Sequence, residues 1–196
     1  MKKLAIAVVL LAAMLAGADT LTEQRTEALT PIDTVPTRLE LDNAFGGSAQ
    51  TNLLAAALDG SSTDPGVRLR AIAALASYDS QPGGSNDTIH PALLQIISAN
   101  TSARTGTNVL VLRAAIETLG HLQVPSDVTV LEGLLEHPSR DIEAAAALAL
   151  GNLCNTTAIN ALRTRYAELG TTDQVKLAIS EALRILGGSP AACSVN

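Results

Sequence analysis

Four stretches of this chain overlay one another without a gap, and no other feature constrains its fold as tightly. They are VRLRAIAALA from Val67, VLRAAIETLG from Val111, IEAAAALALG from Ile142 and VKLAISEALR from Val175. Each opens on a β-branched apolar residue. Four residues on stands Ala71, Ala115, Ala146 or Ile179; eight on, Leu75, Leu119, Leu150 or Leu183; eleven on, Tyr78, Leu122, Leu153 or Leu186. Offsets of 0, 4, 8 and 11 share one face of an α-helix, and a small residue in the middle of that face suits close packing of helices. The openers lie 44, 31 and 33 residues apart. Periods of this size mark solenoids built from two-helix units.

An apolar helix is expected upstream of each stretch, so the unit is helix A, turn, helix B. Residues 48–58 supply Leu53, Leu54, Ala57 and Leu58; residues 91–98, opened by Pro91, supply Leu93, Leu94, Ile96 and Ile97. Residues 126–136, with Ser126 as the expected N-cap, carry Val128, Leu131, Leu134 and Leu135; residues 156–169 carry Ile159, Leu162, Tyr166 and Leu169. Turns fit between them at Asp64-Pro65-Gly66, His137-Pro138-Ser139 and Gly170-Thr171-Thr172, with Gly170 suited to a helix end. Two longer polar loops, 79–90 and 99–108, account for the wide first spacing and belong at the surface. Composition agrees: Ala and Leu dominate, with one Phe, two Tyr and no Trp, which favours helix over sheet. The expected fold is all-α, a short α-α solenoid of about four helical hairpins over residues 48–187. One hairpin cannot bury its apolar face alone; stacked neighbours do so together. The third B stretch, DIEAAAALALGNL, is apolar almost all round and so requires cover on several sides. Residues 19–47, rich in Thr and holding Pro31 and Pro36, are read as a spacer or a loosely docked cap, and 188–196 as a tail.

Residues 1–18 have the form of a bacterial secretory signal. Lys2 and Lys3 precede an apolar run from Leu4 to Leu15, and Ala16-Gly17-Ala18 offers a cleavage site before Asp19. The run is shorter than the ~20 residues of a comfortable span; retention as an uncleaved anchor is the alternative. No cysteine follows the run, so lipid attachment is not indicated. The expected location is periplasmic or secreted, with no stable membrane insertion after cleavage. Losing Lys2 and Lys3 leaves 11 basic against 19 acidic residues. That balance argues against nucleic acid, whose phosphates require a basic face, and against anionic lipid. The two cysteines, Cys154 and Cys193, are read as a structural disulfide, the alternative being two free thiols. Closing a loop of about 40 residues is worth roughly 4 kcal/mol in the chain-entropy picture.

The first unit, Asp64-x-x-Val67-Arg68-x-x-Ala71-x-x-Ala74-Leu75, resembles the D-x-x-V-R-x-x-A-x-x-A-L core of HEAT repeats, in particular the short bacterial kind first named for phycobilisome lyases. The second unit has Asn108, Val111, Ala115, Leu119 and Gly120 but Leu112 in the Arg place. The third has Glu143 there, and the fourth has Lys176 and replaces the small residue by Ile179. In that family Asp and Arg are thought to form a ladder between repeats, and only the first unit keeps both. The resemblance covers residues 48–187. It implies an armadillo-like superhelix whose B helices line a concave side, and it is nearly silent on function.

No catalytic constellation stands out. His90, His121 and His137 lack the i, i+4 spacing of a helical metal site, so no metal and no cofactor is expected. There is no G-x-S-x-G elbow, and Gly83-Gly84 lacks the Lys-[Ser/Thr] of a phosphate loop. The carboxylate pairs Glu132/Glu136 and Asp141/Glu143 are read as solvated helix faces. Asn86, Asn100 and Asn155 match the glycosylation acceptor pattern and are read as turn residues. The candidate surface comes from the B helices, where offsets 2, 6 and 9 point away from the stripe. It comprises Arg113, Glu117, Glu181 and Arg184, with Glu143 and Lys176 beside them. The expected function is a non-catalytic, exported scaffold that binds a protein or peptide. A small-molecule-binding or lyase-like relative and a membrane-tethered envelope protein are the alternatives.

Overall fold

A computed structural model describes residues 23, 26–30, 36–60, 63–78, 88–170 and 174–187. The signal segment 1–18, the tail 188–196, Cys193 and Asn86 lie outside the described residues. The described part is all helical and is built of helices packed against one another. The helices are α1 (Arg38–Phe45), α2 (Ala49–Leu58), α3 (Pro65–Ala74), α4 (Ile89–Asn100), α5 (Thr107–Leu122), α6 (Val128–Glu132), α7 (Arg140–Asn152), α8 (Ile159–Glu168) and α9 (Gln174–Gly187). The A helices are α2, α4, α6 and α8; the B helices are α3, α5, α7 and α9.

The apolar stripe is the core. Each of its residues from Val67 to Leu186 is buried except Leu183, which is half-buried at the last unit. Helix starts follow local chemistry. Before α3, Asp64 accepts hydrogen bonds from the N–H groups of Gly66 (2.9 Å) and Val67 (3.2 Å), with Pro65 in the first turn. α5 and α7 end alike: Gln123 and Cys154, each twelve residues after its opener, both take φ 54°. Each leads through one extended residue into a 3₁₀ turn, Pro125–Asp127 or Thr156–Ala158, that starts the next A helix. The backbone thus repeats along with the sequence. Gln123 also donates to the Asn152 carbonyl (2.9 Å), which ties consecutive units at this end.

The B helices meet through glycine. A Cβ on Gly120 would lie 2.8 Å from the Cα and Cβ of Ala149, and one on Gly151 would lie 2.8 Å from the Cα of Ala182. Both contacts join offset 9 of one unit to offset 7 of the next. Offset 9, expected to face outward, is therefore an internal contact in the second and third units. At the first junction the place of alanine is taken by Thr118, buried and donating its hydroxyl to the Ile72 carbonyl (3.2 Å).

Several boundaries differ from expectation. α4 starts at Ile89, so Pro91 sits in the first turn, where its missing N–H goes unused. Ser126 caps nothing; it lies inside the 3₁₀ turn that Pro125 begins. α6 is only five residues long and continues as tight turns through Leu134 and Leu135, both buried. Gly170 does follow a helix end, next after Leu169, the C-cap of α8, though without a left-handed φ. The stretch read as spacer or cap contains α1, held at its start by a reciprocal pair of bonds between Thr37 and Glu40. α1 covers the first unit: Leu41 is fully buried, Phe45 is buried, and Leu29 ahead of it is also fully buried while its carbonyl accepts from Arg70 (2.9 Å).

Truncating the stripe and filling the glycine contact test this register from opposite sides. Leu119→Ala and Leu150→Ala are each expected to lower stability by ~2–5 kcal/mol. Gly151→Ala is expected to lower it by about 1–3 kcal/mol through overpacking, although alanine is the better helix former by ~1 kcal/mol. Thermal melts of the three variants check this; a Gly151→Ala protein that melts above the parent would refute the close approach.

Candidate functional site

Because offset 9 meets offset 7 at two successive junctions, α5, α7 and α9 share one register and equivalent residues line up across them. Offset 2 carries Leu69, Arg113, Ala144 and Leu177, and offset 6 carries Ala73, Glu117, Leu148 and Glu181; none of these eight is buried. Two rows therefore cross the B-helix face. Ion pairs hold them in places: Arg113 Nε to Glu117 Oε1 at 2.7 Å, and Arg184 to both carboxylate oxygens of Glu181 at 2.6 and 2.7 Å. The bond from Arg184 holds the Glu181 carboxyl below its ordinary range, and the bonds to Glu117 and Glu181 push the Arg113 and Arg184 guanidinium groups up. Between the pairs the surface is apolar. Leu177 is 74% exposed and Leu148 is 37% exposed. These two leucines escape a search based on charge, although offsets 2 and 6 already point to them.

The six expected surface residues do not stay together. Arg113, Glu117 and Glu181 lie on the two rows. Arg184 lies at offset 9 of the last unit, exposed only because no unit of the described chain stacks on α9 there. Lys176 turns toward its own A helix, with its ammonium 4.5 Å from the centroid of the Tyr166 ring. Glu143 is the clear departure: its side chain is 4% exposed and pairs with Arg165 of α8 at 2.5 Å, and Arg165 also reaches Glu168 at 3.1 Å. Offset 1 faces the A layer, so a charged residue there must find a partner inside the stack. The bond to Glu143 is the main reason that the Arg165 guanidinium is pushed up. In the first unit the same offset carries Arg68, whose Nε donates to the Ala57 carbonyl of its own A helix (2.9 Å). Burial pushes this guanidinium down, with Asp59 opposing.

Two of the histidines serve as links between units. His90 Nε2 lies 2.9 and 3.0 Å from the two carboxylate oxygens of Asp127, which is buried. Burial raises the Asp127 carboxyl, and His90 opposes that shift. His137 is buried; its Nδ1 accepts from the Ser139 N–H (3.1 Å), and its Nε2 lies 3.1 Å from the Thr101 carbonyl and 3.1 Å from Arg104. Among the described residues no three His, Cys, Asp or Glu side chains cluster as metal ligands do. Asn155 makes an Asx turn with Thr157, and Asn100 is buried at the end of α4, bonded to the Ile96 carbonyl.

Two clefts open away from the rows. One, of about 220 Å³, lies between α6 and α8 and is lined by Glu132, Leu135, Glu136, Ala161, Arg165 and Glu168. The other, of about 520 Å³, lies where α1 meets Tyr78 and is lined by Arg38, Asp42, Gln50 and the Gly46–Gly47 backbone. Its polar walls are already engaged. Tyr78 donates to Asp42 (2.8 Å), Arg38 stands 5.0 Å from the Tyr78 ring centroid, and Gln50 donates to Thr88 (2.8 Å). Burial first, then the bond to Asp42 and its charge, push the Tyr78 phenol up to about 12.

A family model described as HEAT repeats matches residues 90–184, from the second A helix through the last B helix. No curated protein matches the chain. Among the described residues no helix is long and apolar enough to cross a membrane.

The two kinds of ion pair are expected to separate in stability. Arg165→Ala leaves the buried Glu143 carboxylate without its partner and is expected to cost ~1–3 kcal/mol. Arg113→Ala, on the exposed row, is expected to cost under ~1 kcal/mol. Denaturant melts of both variants measure the contrast, and equal losses would contradict the burial of Glu143. Tyr78 gives a pH signature. A phenol raised on folding contributes stability that is complete below its unfolded value of 10.0 and disappears as pH climbs toward about 12. Stability of the parent should therefore fall across that window, and Tyr78→Phe should remove that part of the decline.

Proposed function

Because this chain is a HEAT-like repeat protein, a class that commonly mediates protein–protein interaction, we propose that it is an exported, non-catalytic scaffold. It binds a protein or peptide partner across the exposed rows of its B helices. The observation that carries this reading is the alignment of the rows. Leu148 and Leu177 stand exposed on neighbouring helices, flanked by the Arg113–Glu117 and Glu181–Arg184 pairs. An apolar centre with charged neighbours is the usual composition of a protein-binding patch. Repeat proteins also use the extended face of their stack for such work. The acidic balance of the chain supports a protein partner over nucleic acid.

Export rests on residues 1–18, and the proposed mature chain begins at Asp19. In an oxidising compartment Cys154 pairs with Cys193 and secures the tail against the third unit. The larger cleft beside Tyr78 has the size of a small-molecule pocket, which favours ligand binding as the second reading. The mutual bonding of its walls makes it the weaker one.

The test is site-specific photocrosslinking in the native cell envelope, from position 148 or 177 and, as a control, from Thr129 on the exposed side of α6. One discrete partner captured from 148 and 177, absent from 129 and lost on Arg113→Ala/Glu181→Ala, is the expected result. Equal labelling from all three positions, or none, would remove the row surface as the binding face. Intact mass of the recovered protein reads the mature N-terminus, Asp19 for a free protein and Met1 for a tethered one.

A further inference from the structure

The outward side of the last unit breaks a pattern that the inner units keep. At offsets 5 and 9 the second B helix carries Ile116 and Gly120 and the third carries Ala147 and Gly151, all buried. The two glycines are where the next B helix arrives. On α9 the same offsets carry Ser180 and Arg184, both exposed. The A layer changes in the same sense. Counting from the matching 3₁₀ turns Pro125–Asp127 and Thr156–Ala158, buried Leu135 corresponds to Tyr166, which is 40% exposed. The Tyr166 ring carries the Lys176 ammonium on its face.

We infer that this side of α8 and α9 is a finished end of the stack, which refuses a further helical unit, including one from a second copy of this chain. The reason is steric and electrostatic together. At the two inner junctions even a Cβ at offset 9 meets backbone at 2.8 Å, and an arginine there leaves no room for a neighbouring helix at that distance. Approach would also strip water from the Glu181–Arg184 pair, from Lys176 and from Ser180, and a packed helix returns nothing for them. The opposite end is covered by α1 through Leu41 and Phe45. At the α9 end, a partner therefore meets the flank of the stack rather than its outer face. The inference rests on the end-face residues Tyr166, Ser180 and Arg184; Glu181, the ion-pair partner of Arg184, is shared with the row surface proposed above and is not changed in the test.

The test restores the inner pattern. The full chain and its Tyr166→Leu/Ser180→Ala/Arg184→Gly variant are compared by light scattering over a concentration series, with hydrogen exchange of α9 amides. The parent is expected to keep a monomer mass and concentration-independent exchange in α9. The variant is expected to gain mass with concentration and to protect α9 as it does so. Should the triple variant fail to fold, Ser180→Ala/Arg184→Ala keeps helix propensity and carries the same expectation in weaker form. A parent that associates with protection in α9, or folded variants as monomeric as the parent, would overturn the inference.

Discussion

Two contacts without side chains, Gly120 on Ala149 and Gly151 on Ala182, set the geometry on which the rest of the stack depends. They bring the B helices to backbone contact and repeat at the same offsets, so they fix the distance between units and their register at once. Every row of equivalent residues follows from that. The stripe at offsets 0, 4, 8 and 11 closes into one core, and the residues at offsets 2 and 6 form continuous lines on the exposed face. The A helices contribute less regularity. α6 has five helical residues and α8 buries little beyond Leu162, so the B layer acts as the spine.

The repeat was legible in the sequence because its signal is periodic and apolar. Burial of Val111, Ala115, Leu119 and Leu122 needs only a helical period to foresee. Boundaries were less so where turns competed. Proline at 125 starts a 3₁₀ turn that takes Ser126 out of its capping place, a matter of one residue of phase that periodicity does not resolve. Offset 9 was misplaced for a different reason. A helical wheel built on one unit ranks glycine as outward when it lies off the apolar stripe, yet a solenoid presents three buried sides: to its own A helix, to the unit before and to the unit after. Gly120 and Gly151 occupy the third side, and an absent side chain gives no hydrophobic signal to count.

The surface residues divide along the same line. Arg113, Glu117 and Glu181 belong to offsets that face neither the A layer nor a neighbour, so a single-helix view places them correctly. Glu143 and Lys176 belong to offset 1, which faces the A layer. What becomes of a charge there depends on a residue far along the chain, Arg165 for Glu143 and Tyr166 for Lys176. The Asp–Arg ladder that the resemblance implied gives way to a different partner in each of the three units that carry a charge at offset 1, the second unit having Leu112 there. Arg68 bonds a carbonyl of its own A helix, whereas Glu143 crosses to the A helix of the next unit.

The alanines of α7 carry a thermodynamic meaning beyond their size. Ala145, Ala146, Ala147 and Ala149 are all buried, together with Gly151, and none of them has a rotamer to lose on folding. Ordering a long flexible side chain costs up to ~2 kcal/mol of conformational entropy, whereas alanine and glycine side chains cost about none. The most crowded helix of the stack is therefore also the one that freezes most cheaply. Beside the buried Ile142 and Leu150, its attraction to both neighbours draws on dispersion between closely spaced backbones, which rewards rigidity and tolerates little adjustment. At these positions α7 has no side-chain rotamers with which to absorb a shift of α5 or α9, so the spacing of the three helices is set by backbone geometry alone.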